Sequence, residues 1–210
     1  MTPRVPPLPR ERWDDAVEAA LRAGVPREVG DRFMATGPDA MRVPNGISSV
    51  MYHPALAGPY LAYNAVLLRE PKLTHRQREL IVLRVAWRTR SPYEWVQHVR
   101  LARRYSITDA ELEAIGGGAD GGHPWEPLEA DLIRATDEAL DQYRVTDATW
   151  TRLAAQLEDA QMVELMYVIG TYTCLAMVFN SLGIELDPEL DPSSGPALPA
   201  HDDGDLKGAR

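Results

Sequence analysis

The chain holds one cysteine, Cys174, so an internal disulfide framework is excluded. No apolar run near 18 residues is evident and no cationic signal peptide opens the chain, so a membrane span is not expected and a reducing cytoplasm is the simplest address. Basic residues are too few for a nucleic-acid partner, since the formal net charge is −9. That excess is uneven: residues 187–210 hold six acids against two bases, leaving the rest mildly acidic. Strand-like alternation is almost missing as well. What remains, 210 residues with 45% hydrophobic and 25% charged side chains, is the composition of a single ordinary soluble domain built from helices.

Both ends read as irregular. Pro3, Pro6, Pro7 and Pro9 crowd a Pro-rich arm at residues 1–10, and Pro188, Pro192, Pro196 and Pro199 lie in an acidic tail, 187–210, expected to be flexible. Between them, residues 11–186 are read as one all-α domain. Trp13, Val17, Ala20 and Leu21 share a stripe on a predicted helix from about Arg10 to Ala23, closed by Gly24 and Pro26. Residues 30–52 give no clear pattern. A helix is predicted from near Pro54 to Arg69, with Pro59 able to move its start to just after Gly58. Thr74 and Gln77 spell a capping box before ELIVLRVAW, whose nearly all-round apolarity marks a central helix.

Ser91, Pro92 and Glu94 spell a second capping box, opening a helix to Tyr105, and Thr108 with Glu111 a third, opening a short helix that ends at Gly116, Gly117 and Gly118. The Gly-rich stretch is not a phosphate cradle, because the Lys and Ser/Thr of a P-loop do not follow it. Further helices are predicted at about Pro127 to Tyr143, Asp147 to Glu158 and Asp159 to Leu182, the last with Gly183 just beyond it.

Chemistry concentrates in SPYEWVQH, residues 91–98. At 100° per residue His98 projects between Glu94 and Ala102, with Leu101 and Tyr105 alongside, while Gln97, Arg100, Arg103 and Arg104 take the opposite face. An acid and an imidazole on an apolar face persist when they satisfy each other or do chemistry. Glu94 is alternatively a helix cap, His98 a satisfied core histidine, and Glu79 a structural partner of an arginine such as Arg76 or Arg90. Tyr172 and Asn180 are weaker candidates to line a pocket. Trp87 and Trp95 read as core, Arg84, Arg88 and Arg90 as solvated surface, and Cys174 as a small buried hydrophobe. His53, His75, His123 and His201 have no spacing relation to His98, so a metal centre is not expected.

The segment LTHRQRELIVLRVAWRTRSPYEWVQHVRLARRYSITDAELEAI, with HPAL at 53–56 and QMVELMYVIGTYTCLAMVFNSLGIEL at 161–186, resembles the carboxymuconolactone decarboxylase family, which shares its fold with the AhpD-like alkylhydroperoxidases. The resemblance runs from about Asn45 to Leu186 and implies an AhpD-like helical fold and a homo-oligomer, trimer or hexamer. Setting the peroxidase branch's histidine on His98 places its two cysteines at Ser91 and Glu94, neither of them a thiol, and makes Glu79 the counterpart of its relay glutamate. A thiol peroxidase needs an attacking and a resolving thiol, so that activity is not expected. The expectation is a lyase or isomerase that moves protons on a small molecule without a cofactor: His98 the general acid/base, Glu94 its orienting partner, Glu79 a second relay carboxylate. The alternative is a non-catalytic ligand-binding or assembly protein of the same fold.

Overall fold

The computed structural model describes residues 3–200, and among them there is no β-strand. The fold is all-α, as expected. His201 and the rest of the acidic tail to residue 210 lie outside the described residues. Those described form two compact units, one comprising residues up to Lys72 together with Val178–Glu189, the other Leu73–Met177 with the residues from Leu190 onward.

In the first unit, α1 is Asp15–Ala23, α2 Arg27–Met34, α3 Asn45–Val50 and α4 Pro54–Arg69. The helix predicted from Arg10 is split: Arg10–Arg12 forms a 3-10 turn, and α1 starts only after Asp14, whose carboxylate accepts the Val17 N–H at 2.9 Å. The cap, rather than the apolar stripe, sets the boundary. Pro59 does not delay α4, which begins at Pro54 behind His53, whose ring accepts the Leu56 N–H. Pro59 lies in the second turn, where its fixed φ is already helical. Leu8, Val17, Leu21, Phe33, Met51 and Leu61 form the core. The unpatterned stretch 30–52 supplies α3 and part of that core, and it is fastened from the far end of the chain: the Asn45 N–H donates to Asp187 at 2.7 Å, and Arg42 bridges Asp187 and Glu189.

In the second unit, α5 is His75–Arg88, α6 Pro92–Arg104, α7 Asp109–Ala114, α8 Pro127–Gln142 and α9 Asp147–Ala154; α10, Asp159–Leu182, begins here and passes into the first unit after Met177. The capping boxes at Thr74/Gln77 and Thr108/Glu111 form as predicted. α5 is central: Leu80, Ile81, Val82, Leu83, Val85 and Ala86 are completely buried. Arginines radiate from it to its neighbours. Arg76 pairs with Glu111 and Glu129, and Arg84 reaches Asp137 with two nitrogens at 2.7 and 2.9 Å. Arg88 shares Asp137 and also bonds Asp141. The reading of Arg84 and Arg88 as solvated surface is therefore corrected; bidentate pairing lets the guanidinium of Arg84 be buried at a helix junction.

Two further readings are corrected in α10. By length and composition this helix could cross a membrane, contrary to the expectation that no such stretch exists. The scattered Glu164, Thr171 and Thr173 hide its apolarity from a search for unbroken runs. Leu165, Val168, Ile169, Tyr172 and Ala176 are buried, whereas Val163, Tyr167 and Met177 are exposed. Glu164, itself buried, accepts the Leu73 N–H just before α5 at 3.0 Å. Cys174 falls on the exposed side, not in the core. It lies two residues, about 200° of helix turn, from buried Tyr172.

Where the tail of the second unit is described it folds back on α6: the Trp95 indole donates to the Pro196 carbonyl at 3.0 Å, and Gly195, at φ 81°, sits beside Val99. Replacing Thr74 by Ala removes the hydroxyl that accepts the Gln77 N–H at the start of α5 and should cost about 1 kcal/mol. Urea unfolding of the variant measures it; an unchanged midpoint would show that tertiary packing alone holds the first turn.

Candidate active site

The site is built by the turn between α5 and α6. Arg90 adopts a left-handed conformation, φ 53°, so that its N–H donates to the Trp87 carbonyl and the Ser91 N–H to the Ala86 carbonyl at 2.9 Å. This is a Schellman closure made without glycine. It joins the two helices through three residues, Thr89, Arg90 and Ser91, and lays α6 against α5, with Trp87 and Trp95 in edge contact, ring centroids 5.4 Å apart.

The closure also overturns the capping box expected at Ser91 and Glu94. Ser91 makes no side-chain cap bond, and its N–H is already given to Ala86, leaving the Glu94 carboxyl nothing to bind there. Glu94 is 2% exposed, and neither of its carboxyl oxygens nor the Ser91 hydroxyl has a hydrogen-bond partner. Burial pushes the Glu94 carboxyl up to about 8; the nearby Ser91 hydroxyl opposes this weakly, without reaching hydrogen-bond geometry.

The orienting partner expected for His98 is therefore the wrong glutamate. His98 Nδ1 lies 2.6 Å from Glu79 Oε2, a buried contact that joins the second turn of α6 to α5. The other Glu79 oxygen accepts from Arg78, whose Nη2 is 2.8 Å away. Glu79 itself is completely buried. Burial alone would raise its carboxyl, but His98 and Arg78 outweigh it and hold the group below the usual carboxylate range. An ionised Glu79 accepts from Nδ1–H, which fixes the tautomer and leaves Nε2 as the nitrogen that can take or give a proton. Tyr172 of α10 stands edge-on to the imidazole, centroids 5.0 Å apart and planes at 87°. Burial pushes its hydroxyl well above the usual phenol range.

Of the expected residues, Glu79, His98 and Tyr172 thus meet directly, while Glu94 lies one turn from His98 on the same helix. Asn180 belongs to the first unit. The other described histidines have separate occupations: His53 caps α4, His75 stacks on Tyr105 and His123 meets Trp125 at a tilt. Arg78 was missed. Adjacent residues point to different sides of a helix, so spacing favoured Arg76 or Arg90, and only the long reach of the guanidinium back to its neighbour closes the pair.

Residues 54–130 match the model of the carboxymuconolactone decarboxylase family. No curated protein shows significant similarity to the sequence. Among solved structures, the chain is similar to an uncharacterized peroxidase-related protein from Ralstonia eutropha JMP134 with an alkylhydroperoxidase AhpD core: TM-score 0.66, 17% identity, covering 88% of this chain and 94% of that one. It is also similar to the debrominase Bmp8, TM-score 0.66 and 14% identity over 90% of this chain and 94% of that one, in a structure that holds 2,3,4-tribromopyrrole. A peroxidase-related protein from Silicibacter sp. TM1040 gives TM-score 0.64 and 16% identity over 86% and 97% of the two chains. At these identities the likeness is one of fold.

The burial of Glu94 has a pH signature. The unfolded chain releases this proton near its ordinary value of 4.5, and the folded chain keeps it to about 8. Between those values the unfolded state binds fewer protons, so stability falls as pH rises, by at most about 1.4 kcal/mol per pH unit. Glu94→Gln should remove that slope and gain on the wild type steadily from about pH 5 to about pH 8. Denaturant unfolding across that range decides it: parallel curves would mean Glu94 is not held protonated.

Proposed function

Starting from a chain with a carboxymuconolactone decarboxylase family segment at residues 54–130 and an AhpD-like all-α fold, we propose a cofactor-independent acid/base enzyme acting on a small organic molecule. The observation that carries this is the 2.6 Å contact between His98 Nδ1 and buried Glu79. It prepares one imidazole nitrogen for proton transfer and supplies a fixed negative charge to stabilise the imidazolium that forms.

His98 is the general acid/base and Glu79 its orienting partner, the role first expected of Glu94. In a decarboxylation the bond to the carboxylate breaks, its electron pair stays on the substrate as an enolate, CO2 leaves, and Nε2–H delivers a proton to carbon. In an isomerisation Nε2 removes the carbon-bound proton and returns it elsewhere. Both need an enolate-like charge tolerated beside the histidine. A peroxidase cycle is disfavoured by the side chains themselves: Ser91 and Glu94 stand where the peroxidase branch has thiols, and Cys174 is on the exposed side of α10, away from the ring that Tyr172 touches. The purely structural account of Glu94 as a cap lacks its bond. Assembly as a homo-oligomer is supported by the exposed Val163, Tyr167 and Met177 along α10, and light scattering reads it directly.

His98→Gln should keep the fold and lower turnover by about 10²-fold or more, because the amide keeps a polar shape and cannot shuttle a proton. Glu79→Gln should lower it as well, since the tautomer is no longer enforced. Solvent deuterium incorporation into a panel of small β-keto acids, enolisable ketones and unsaturated lactones, followed by NMR, measures this proton transfer directly; exchange that persists in His98→Gln would refute the assignment. Cys174→Ser should leave exchange unchanged, and a peroxide-reducing activity lost in that variant would restore the redox reading.

A further inference from the structure

Three oxygens at the start of α6, the helix that carries His98, are buried with hydrogen-bonding capacity unspent: Ser91 Oγ and both carboxyl oxygens of Glu94. Ser91 is completely buried and Glu94 nearly so. Burying a hydroxyl and a carboxyl without partners is costly, and folded proteins avoid it unless a water or a ligand completes the bonds. The fold does not force this arrangement. The Schellman closure needs only the Ser91 backbone, and the first turn of α6 forms without either side chain.

The surroundings narrow what completes them. Arg78 and Glu79 of α5 neutralise each other, His98 is engaged with Glu79 through Nδ1, and Tyr172 of α10 is held neutral by burial. Glu94 itself also bears on Tyr172. The Arg78 charge is spent on Glu79, so a ligand carboxylate bound here would find it already compensated. The pair at 91 and 94 offers hydroxyl protons instead: Ser91 can donate, and Glu94 can donate while it holds its proton, which burial favours through neutral pH.

Resting on the acid/base reading above, we propose that Ser91 and Glu94 form an oxyanion subsite, one turn of α6 from His98, that hydrogen-bonds the oxygen of an uncharged, enolisable carbonyl compound such as a ketone, aldehyde or lactone. When His98 Nε2 removes a proton from the carbon next to the carbonyl, the C–H electron pair becomes the C=C bond of the enolate and the carbonyl π pair moves to oxygen. That oxygen then accepts from Ser91 O–H and Glu94 O–H. Reprotonation at carbon by Nε2–H restores the carbonyl, so protons and electrons balance with no other reactant. A donor aimed at the place where charge appears contributes more to the transition state than to the ground state, where the carbonyl is neutral.

The test uses 4-nitrophenol as a mimic of the enolate, because its absorbance reports both binding and the charge on its oxygen. The full-length wild type should bind it saturably near neutral pH, with affinity falling at least about tenfold as the pH rises from about 7 to above 9 and Glu94 loses its proton. Glu94→Gln, which keeps an N–H donor and cannot ionise, should bind at both pH values and lose the fall attributable to this group. Glu94→Leu should weaken binding at least about tenfold throughout, and Ser91→Ala less. The Gln variant guards against misfolding of the Leu variant. Equal binding by wild type, Glu94→Leu and Ser91→Ala, or no saturable binding at any pH, would overturn the subsite and assign the three oxygens to trapped water. His98→Gln should bind the probe within about twofold of wild type. If it does, and solvent exchange nevertheless persists in that variant, the acid/base assignment fails while the subsite stands; if exchange is lost but Glu94→Leu binds normally, the subsite alone fails.

Discussion

An ionised carboxylate in the middle of an apolar helix sets the terms for this site. Glu79 sits one residue before the fully buried run of α5, where its charge would cost many kcal/mol if left alone. It is retained because each of its two oxygens has a partner, Arg78 on one side and His98 Nδ1 on the other. Removing either partner would strand a buried charge, which is why α6 must present its histidine at one depth and one rotation. The Arg90 turn achieves that placement by ending α5 and starting α6 within three residues. The arginine pairs running from α5 to α7 and α8 hold the same helix from its other sides.

This arrangement separates the two glutamates chemically although each is almost wholly buried. Glu79 is kept ionised by paired donors, and Glu94, with no donor in hydrogen-bond geometry, is kept neutral by desolvation. Two buried carboxyl groups are thus driven in opposite directions, the pattern by which acid and base roles are kept apart where such chemistry occurs. The charged one can hold a histidine in one tautomer. The neutral one can donate a hydrogen bond, which a carboxylate cannot.

Sequence carried the fold wherever a local rule decided the outcome. The hydroxyls and amide or acid partners at Thr74/Gln77 and Thr108/Glu111 are close in sequence and compete with nothing, so α5 and α7 start where expected. The same pattern at Ser91 and Glu94 misled because the Ser91 N–H had a better-placed acceptor in the turn before it, information that belongs to the end of α5 and not to the start of α6. Long-range pairings were equally hidden. Residues 42–45 are held by Asp187 and Glu189 some 140 positions away, so 30–52 showed no pattern of its own. At the site, the helical wheel correctly placed His98 on the buried face, yet choosing between Glu79 and Glu94 as its partner required the relative depth of two helices. Periodicity within one helix cannot supply that.

Cys174 shows how side-chain chemistry and fold part company in this chain. A lone cysteine in the most apolar helix reads as core on statistics, but α10 needs only one side for burial, and Cys174 lies with Val163, Tyr167 and Met177 on the other. The helix that carries the sole thiol therefore offers Tyr172 to the histidine and turns the sulfur away from it. For thiol redox chemistry at His98, α10 would have to rotate by about half a turn, exchanging a buried apolar stripe for an exposed one. Loss of Leu165, Ile169 and Tyr172 from the core would cost far more than the few kcal/mol that a single contact returns. The packing of α10 thus keeps the thiol away from His98, and it does so independently of which residues stand at 91 and 94.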